Sequence, residues 1–347
     1  MKTKLILFVL CIMIAAPATL NAQTFKTAGD YMQNIGDEYE KIKNDIWDYT
    51  NAVARGKGAR KIENKRKELI KTVGEAKKKI AKMPDFEGNL VFRDTVVSCL
   101  QLNYYVLSED FAKIVNMEEV SEQSYDAMEA YLLAKEIANE KLDMASERVK
   151  AQQGVFAADH NITLINEKDK ISQKLEKAGP VFNYYNRIYL IYFKCYKQEA
   201  YMLEALQKVD MNAVEQNKNA LISVCAETQK KLDTLKPFKG DGSLKTSCKK
   251  TVDFYKKEAE EKVPIQVDFY LKKENFDKKK AAIDSKSQSE RTQKDVDEFN
   301  AAVKEFNDAV NKFNAVNNEL NQTRTQLLNE WNQNVQNFLD KHVPKKG

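Results

Sequence analysis

Apolar residues recur at intervals of three and four along nearly the whole chain, a spacing typical of amphipathic helices. Residues that break helices are few, with eleven glycines and six prolines among 347 residues. The chain is instead rich in Lys, Glu, Ala, Leu, Gln and Asn. The pattern therefore predicts an all-α protein.

A set of residues occurs twice at a separation of 152 positions. The matching pairs are Leu69 and Leu221, Glu75 and Glu227, Phe86 and Phe238, and Gly88 and Gly240. The chain's two histidines, His160 and His342, each follow a phenylalanine by four residues. Because a fixed internal spacing indicates a repeated structural unit, we predict two tandem four-helix units, residues 23–160 and 181–347. The linker between them, residues 161–180, ends at the helix-breaking pair Gly179-Pro180.

The second unit is longer than the first, and phenylalanines spaced by seven show where the extra residues lie. They are Phe269 and Phe276 on one arm and Phe299, Phe306 and Phe313 on the other, the latter three each preceded by a valine at three positions. Such spacing is typical of a coiled-coil seam. Between the arms, Ser287 and Glu290 have the spacing of a capping box. We predict an elongated antiparallel helical hairpin at about residues 265–313, projecting by roughly 20–25 Å at 1.5 Å per residue.

The N-terminus has the features of a secretory signal peptide, residues 1–22. Lys2 and Lys4 precede an apolar stretch, and Ala22 is a small residue at the expected cleavage point. No later segment has the ~20 consecutive apolar residues that a transmembrane helix needs. We therefore expect an exported protein without a transmembrane segment in its mature chain, in the periplasm or on the outer surface of a Gram-negative-type bacterium.

The charge balance argues against nucleic acid as a partner. Removal of Lys2 and Lys4 lowers the formal charge from +5 to about +3. Nucleic-acid-binding domains usually concentrate basic side chains on one face, whereas the lysine runs of this chain are interleaved with Glu and Asp.

Four cysteines remain after signal removal, and no Cys-x-x-Cys motif indicates a zinc or thiol-redox site. If a helical hairpin turns near residue 210, Cys195 and Cys225 lie equally far from the bend, which makes them the favoured disulfide pair. Cys225 with Cys248 is the second choice. Buried free thiols, which pack as small apolar groups, are the alternative.

A tyrosine-rich helix over residues 181–208 is the best candidate for a ligand surface. Tyrosine offers apolar area and a hydroxyl together, although packing between the two units explains the same residues. The possible ligand face consists of Tyr184, Tyr185, Tyr189, Tyr192 and Tyr196.

Motifs for catalysis or for cofactor and metal binding are missing from the sequence. Neither His160 nor His342 has the Glu-x-x-His spacing of di-iron bundles. The chain also contains no Gly-x-Ser-x-Gly motif and no phosphate-binding Gly-Lys-Ser. We therefore expect no catalytic residue, no metal and no cofactor, and a protein that is not an enzyme.

Two segments of the first unit, Met83-Pro-Asp-Phe-Glu-Gly-Asn-Leu90 with Arg93-Asp94 and Phe156-Ala-Ala-Asp-His-Asn-Ile162, resemble uncharacterised helical surface proteins of spirochaetes and Bacteroidota. The second unit departs from this pattern, with Lys239-Gly-Asp-Gly242 in place of Glu-Gly-Asn. The resemblance implies an exported, envelope-associated helical protein. It carries over no catalytic or binding residue.

These expectations favour an interaction scaffold or adaptor that meets a protein partner in the cell envelope through the predicted hairpin. The alternative is a small-molecule or glycan-binding module that uses the tyrosine face.

Overall fold

The computed structural model describes residues 25–165 and 169–345, where all regular structure is helical. The predicted signal peptide lies outside these residues. The helices are α1 (Ala28–Ala54), α2 (Ala59–Ala81), α3 (Val91–Tyr105), α4 (Phe111–Ser121), α5 (Tyr125–Asp159), α6 (Lys170–Gln207), α7 (Met211–Thr234), α8 (Ser243–Lys257), α9 (Val263–Asp284) and α10 (Gln293–His342). A first π segment, Val106–Asp110, joins α3 to α4, and a second, Glu258–Lys262, joins α8 to α9. The all-α prediction is confirmed.

Helix α6 continues through the Gly179-Pro180 pair, so the predicted helix end at this point is wrong. Proline lacks the N–H that would bond four residues back, and a proline inside a helix costs ~3 kcal/mol. The neighbouring side chains of Ala178 and Val181 are both buried in the core. Burial on both sides of Pro180 offsets the lost hydrogen bond, and the helix remains continuous.

The turn between α9 and α10 is built differently from its prediction. The Glu290 carboxylate accepts the backbone N–H of Ser287 at 2.9 Å inside the turn, so this pair does not begin a helix. The capping box is formed by Thr292 and Asp295 instead. Each of these side chains accepts the other residue's backbone N–H, at 3.2 and 2.8 Å, which satisfies two otherwise unpaired donors at the start of α10.

Two clusters of buried apolar residues lie in the described part of the chain. The first is formed by α1–α5 and includes Tyr31, Phe92 and Phe156. The second is formed mainly by α6–α10 and also includes Trp47 from the C-terminal half of α1. Helix α1 therefore contributes to both cores, and its contact with α6 joins them.

Candidate functional site

Two aromatic clusters of matching geometry each contain one histidine. In the first, the His160 ring centroid lies 5.1 Å from that of Phe86 and 4.4 Å from that of Phe156. In the second, the His342 centroid lies 5.2 Å from Phe238 and 4.7 Å from Phe338. Both histidines sit where their helix ends, against the phenylalanine one turn earlier.

A tyrosine completes each cluster. Tyr31 lies 5.6 Å from Phe156, and Tyr184 lies 5.7 Å from Phe338, measured between ring centroids. Tyr184 also lies 5.3 Å from Phe238. Its ring therefore packs at the end of the second core, away from the other tyrosines of the predicted ligand face.

The turns that carry Phe86 and Phe238 have the same backbone conformation. Phe86 and Asn89 exchange N–H···O bonds of 3.2 and 2.9 Å, and Phe238 and Asp241 exchange bonds of 3.1 and 2.9 Å. Both central residues have positive φ in each case: Glu87 and Gly88, then Lys239 and Gly240. Such turns favour glycine because it has no Cβ to clash at positive φ. These loops therefore serve as tight connections between helices.

Asp241 ties the second turn to the end of α10. Its Oδ2 lies 2.9 Å from Nε2 of His342 and 2.8 Å from Nζ of Lys341. Burial acts to raise the pKa of Asp241, but hydrogen bonds from Lys341, Ser243 and His342 outweigh it and lower the pKa. His160, by contrast, lies 3.6 Å from Glu87, and its buried Nε2 has no hydrogen-bond partner among the described residues. Both histidines hold a turn against a helix end.

The remaining tyrosines of the predicted ligand face form one line of ring contacts. Tyr185 and Tyr189 lie 5.7 Å apart, and Tyr192 and Tyr196 lie 6.1 Å apart. Phe193 joins the two pairs, at 5.8 Å from Tyr189 and 5.9 Å from Tyr196. Tyr196 is exposed over 38% of its surface, Tyr185 and Tyr189 are half-buried, and Tyr192 is buried. Most of this line serves to pack α6 rather than to offer an open surface.

The inner end of this line reaches the second core. Tyr192 stacks on Trp331 with ring centroids 4.3 Å apart and an interplanar angle of 6°. Burial raises the pKa of the Tyr192 hydroxyl above its ordinary value. At the other end, burial raises the pKa of Tyr185 to about 12. Neither phenol is poised to lose a proton near neutral pH.

Along α9 and α10, the phenylalanines of the predicted seam contact one another. Phe276 lies 4.9 Å from Phe306 with nearly parallel rings, and 6.1 Å from Phe299. Phe269 lies 4.2 Å from Phe313 and 6.0 Å from Phe306. All five rings are half-buried. Two helices alone cover only the facing side of each ring.

The small residues of α10 make this ring stacking possible. Ala302 and Ala309 are buried, whereas Val303 and Val310 are half-buried. The most buried positions between the phenylalanines of α10 are therefore alanines, while the predicted seam valines are half-buried like the phenylalanines themselves. Alanine leaves room for the rings of both helices at the same level.

Lysines of α9 and of the following turn form ion pairs with acidic side chains of α10 on one edge of this pair of helices. Lys272 lies 2.7 Å from Glu305, and Lys279 lies 2.5 Å from Glu298. Lys286 continues the series in the turn, at 2.7 Å from Asp295. Exposed pairs of this kind contribute little stability each, ~0–1 kcal/mol. Their regular spacing favours the antiparallel register of the phenylalanines.

Cys195 and Cys225, the favoured disulfide pair, are adjacent and completely buried as free thiols. The hydrogen bond between them lowers the pKa of Cys195 and raises that of Cys225, which burial raises further. The Cys195 thiol also lies 3.2 Å from the hydroxyl of Thr228. The disulfide remains a prediction.

A buried ionic cluster in the second core was not predicted from the sequence. Glu199 and Glu258 are 2% and 1% exposed, and both bind the guanidinium of Arg324, at 2.5 Å through Nε and 2.6 Å through Nη2. The cluster joins α6, the second π segment and α10. A π segment widens a helix by one residue per turn and is frequent at functional sites. Here it places Glu258 inward.

One arginine cannot balance two buried carboxylates. Burial, together with repulsion from Glu199, raises the pKa of Glu258 to about 8, in spite of Arg324. Burial also raises the pKa of Glu199. A hydrogen bond between the two carboxyl groups raises the pKa of Glu258 and acts to lower that of Glu199, as expected when Glu258 is the donor. The raised pKa of Glu258 favours its protonated form, which leaves one negative charge for Arg324 to neutralise.

A pocket of about 140 Å³ lies beside this cluster. Tyr192, Tyr196, Tyr255 and Arg324 contribute to its wall. Small-molecule sites usually enclose roughly 300–1,000 Å³, so this pocket fits at most a group of a few atoms. Among residues 25–165 and 169–345, no group of three or more His, Cys, Asp and Glu side chains is arranged to hold a metal ion.

No helix in the described residues is long and apolar enough to cross a membrane. The chain matches no known protein family, no curated protein and no solved structure.

Proposed function

We propose that the protein is an exported, non-enzymatic helical scaffold or adaptor of the cell envelope or surface, and that its hairpin, at about residues 265–313, docks a protein partner. It is built of two tandem four-helix units, residues 23–160 and 181–347. Its resemblance to helical surface proteins of spirochaetes and Bacteroidota is consistent with this role.

Matching geometry in the two halves supports the tandem units. The two aromatic–histidine clusters agree to within a few tenths of an ångström in their ring distances. The turns at Phe86 and Phe238 exchange the same pair of hydrogen bonds. The two π segments, Val106–Asp110 and Glu258–Lys262, are also 152 residues apart, the same separation as the sequence pairs. The turns and the π segments thus share one spacing.

The observation that carries the docking proposal is the half-burial of all five hairpin phenylalanines. Each ring packs against the opposite helix and leaves its outer side to water. A third apolar helix would remove that surface from water at a gain of about 25 cal/mol per Å². Recognition of a helix along an apolar groove is a common mode of peptide binding.

A second candidate function is small-molecule or glycan binding by the tyrosine line. It is favoured by the position of Tyr192 and Tyr196 in the wall of the pocket beside Arg324. The small volume of that pocket and the burial of Tyr192 rank this function second.

Crosslinking followed by mass spectrometry in the native cells tests the docking proposal. The wild-type chain is compared with a variant that lacks residues 270–305, with the two arms rejoined by a short Gly-Ser turn. A Gln333→Ala variant, changed on the exposed face of α10 outside the hairpin, is the matched control. We expect specific partners that are lost on deletion and retained in the control. A partner set that is empty or unchanged on deletion would contradict the proposal.

A further inference from the structure

Helix α5 carries an apolar stripe on its solvent side. Leu133, Ile137, Met144 and Val155 are 53%, 45%, 67% and 51% exposed. At about 100° per residue, all four lie within about 40° of each other around the helix axis. Ala151 lies in the same sector and is also exposed. The stripe extends over six turns of the helix, with the exposed Glu140 at its margin between Ile137 and Met144. Single exposed apolar residues scattered over a surface would not align in this way.

The fold does not require this stripe. Phe156 and His160 of α5 are equivalent to Phe338 and His342 of α10, because they occupy the same places in the two aromatic clusters. Both helices are uninterrupted, so equivalent positions of α5 and α10 are found by counting back from Phe156 and from Phe338. The α10 positions that correspond to the four stripe residues are also exposed, and they are Ala315, Glu319, Gln326 and Asn337. Three of these four positions are thus polar in α10, whereas all four are large apolar residues in α5.

One edge of the stripe is acidic. Its exposed side chains are Glu129, Glu136, Glu140, Asp143 and Glu147. Of these, Glu147 is paired with Lys150 at 2.7 Å, and Glu129 accepts a hydrogen bond from Tyr125. The carboxylates of Glu136, Glu140 and Asp143 form no ion pair with other described residues. This acidic edge is therefore open to a basic partner.

The other edge is nearly free of charge, with Arg148 and Ala130 exposed along it. Lys141, which lies further round the helix, is already bound to Asp110 at 2.6 Å. The stripe is thus asymmetric, with an apolar centre, an acidic edge and a mostly uncharged edge. The asymmetry restricts what can cover it.

From this arrangement we infer that the apolar stripe of α5 is a docking surface for an amphipathic helix of a partner protein, one whose apolar face is bordered by lysine or arginine. A second copy of this chain fits less well. In an antiparallel pair of α5 helices, the acidic edge of one copy would lie against the acidic edge of the other. In a parallel pair, the five carboxylates of one copy would face the other copy's uncharged edge, where Arg148 is the exposed cation. A basic amphipathic helix satisfies both the apolar centre and the acidic edge.

A binding assay on the purified mature chain tests this inference. The probe is a fluorescent synthetic 24-residue helix with leucine at heptad positions a and d and lysine along one flank. A second peptide of the same apolar pattern carries glutamate in place of lysine. We expect saturable binding of the basic peptide, at least tenfold weaker binding of the acidic one, and weaker binding at 0.5 M salt.

Variants locate the binding to α5. The double change Ile137→Gln and Met144→Gln should weaken binding of the basic peptide at least tenfold, because two side chains lose most of their apolar contact area. The matched control, Gln322→Ala with Gln326→Ala on the corresponding face of α10, should bind as the wild type does. Glu136→Lys with Glu140→Lys should reverse the preference between the two peptides. Circular dichroism checks that each variant remains folded.

Three outcomes would overturn the inference. They are equal binding of both peptides, binding that the α5 changes leave unaltered, and self-association of the chain through α5 that the Ile137 and Met144 changes abolish. The variant lacking residues 270–305 separates this surface from the hairpin. If it still binds the basic peptide, the α5 surface acts on its own, whatever becomes of the hairpin proposal.

Discussion

The Arg324 guanidinium donates to the buried carboxylate of Glu258 across 2.6 Å and so joins the middle of α10 to the second π segment. The same guanidinium binds Glu199 of α6. The part of α10 that precedes Arg324 in the chain packs on α9. The cluster therefore links α10 to α6 and to the second π segment.

Removal of the Arg324 charge should destabilise the protein strongly. In an Arg324→Met variant, the one negative charge of the Glu199–Glu258 pair stays buried without a counter-charge, which typically costs ~3–5 kcal/mol. Urea unfolding followed by circular dichroism measures the change in free energy of unfolding. A Lys250→Met variant, which breaks the exposed pair with Glu330, is the control and should change the free energy by less than ~1 kcal/mol. Equal effects of the two changes on the free energy of unfolding would show that the buried cluster contributes little to stability.

Protonation of Glu258 should make stability depend on pH. Its pKa is raised from 4.5 to about 8 in the folded protein, so the folded state binds more protons than the unfolded state between these values. Stability should therefore fall as pH rises from about 5 to 8, on the order of a few kcal/mol, and should level off above pH 8.

A Glu258→Gln variant tests this assignment, because glutamine keeps the shape and does not titrate. Its thermal midpoint should vary less with pH than that of the wild type between pH 5 and 8. Parallel curves for the two proteins would show that Glu258 is ionised in the folded state throughout this range.

Truncation of a hairpin phenylalanine should loosen the hairpin more than the body. Because the Phe306 ring is half-buried between Phe269 and Phe276, Phe306→Ala should cost about 1–3 kcal/mol, less than the ~3–5 kcal/mol of a fully buried ring. Hydrogen exchange should accelerate in α9 and the first half of α10, and remain unchanged in α6 and α7. An equal acceleration throughout the second core would contradict a hairpin that opens locally.

Export to an oxidising compartment should link Cys195 to Cys225. The two thiols are adjacent in the folded chain, and disulfides form readily outside the cytosol. Protein purified from its native cells, alkylated without reduction and digested, should yield the peptide that joins these two cysteines. Recovery of Cys99, Cys195, Cys225 and Cys248 in separate peptides, each with an alkylated thiol, would show that Cys195 and Cys225 stay reduced.

Local periodicity was enough to predict some contacts. The heptad spacing indicated that phenylalanines of the two arms would meet, and the rings of Phe276 and Phe306 lie 4.9 Å apart. Pro180 shows where local signals fail, since the burial of its neighbours keeps α6 continuous. The cluster of Glu199 with Arg324 could not be predicted, because the two residues lie 125 positions apart and charged residues are common on every helix.

The tyrosine face shows a related limit. Tyr184 and Tyr185 are neighbours in the chain, yet Tyr184 packs on Phe238 and Phe338 while Tyr185 contacts Tyr189. Adjacent positions on a helix point about 100° apart, so one residue decides which cluster a ring enters. The spacing of the tyrosines predicted that they lie in a row along α6. Which rings each tyrosine contacts depends on how the other helices pack.

The most direct test of the hairpin as a docking element is site-specific photocrosslinking in the native cells. A photoreactive amino acid replaces Asn275, an exposed residue of α9, and in a separate strain Gln326, an exposed residue of α10 outside the hairpin. Docking predicts one dominant protein adduct from position 275 that position 326 does not give, with the same partner that deletion of residues 270–305 removes. No adduct from position 275, or the same adducts from both positions, would contradict it.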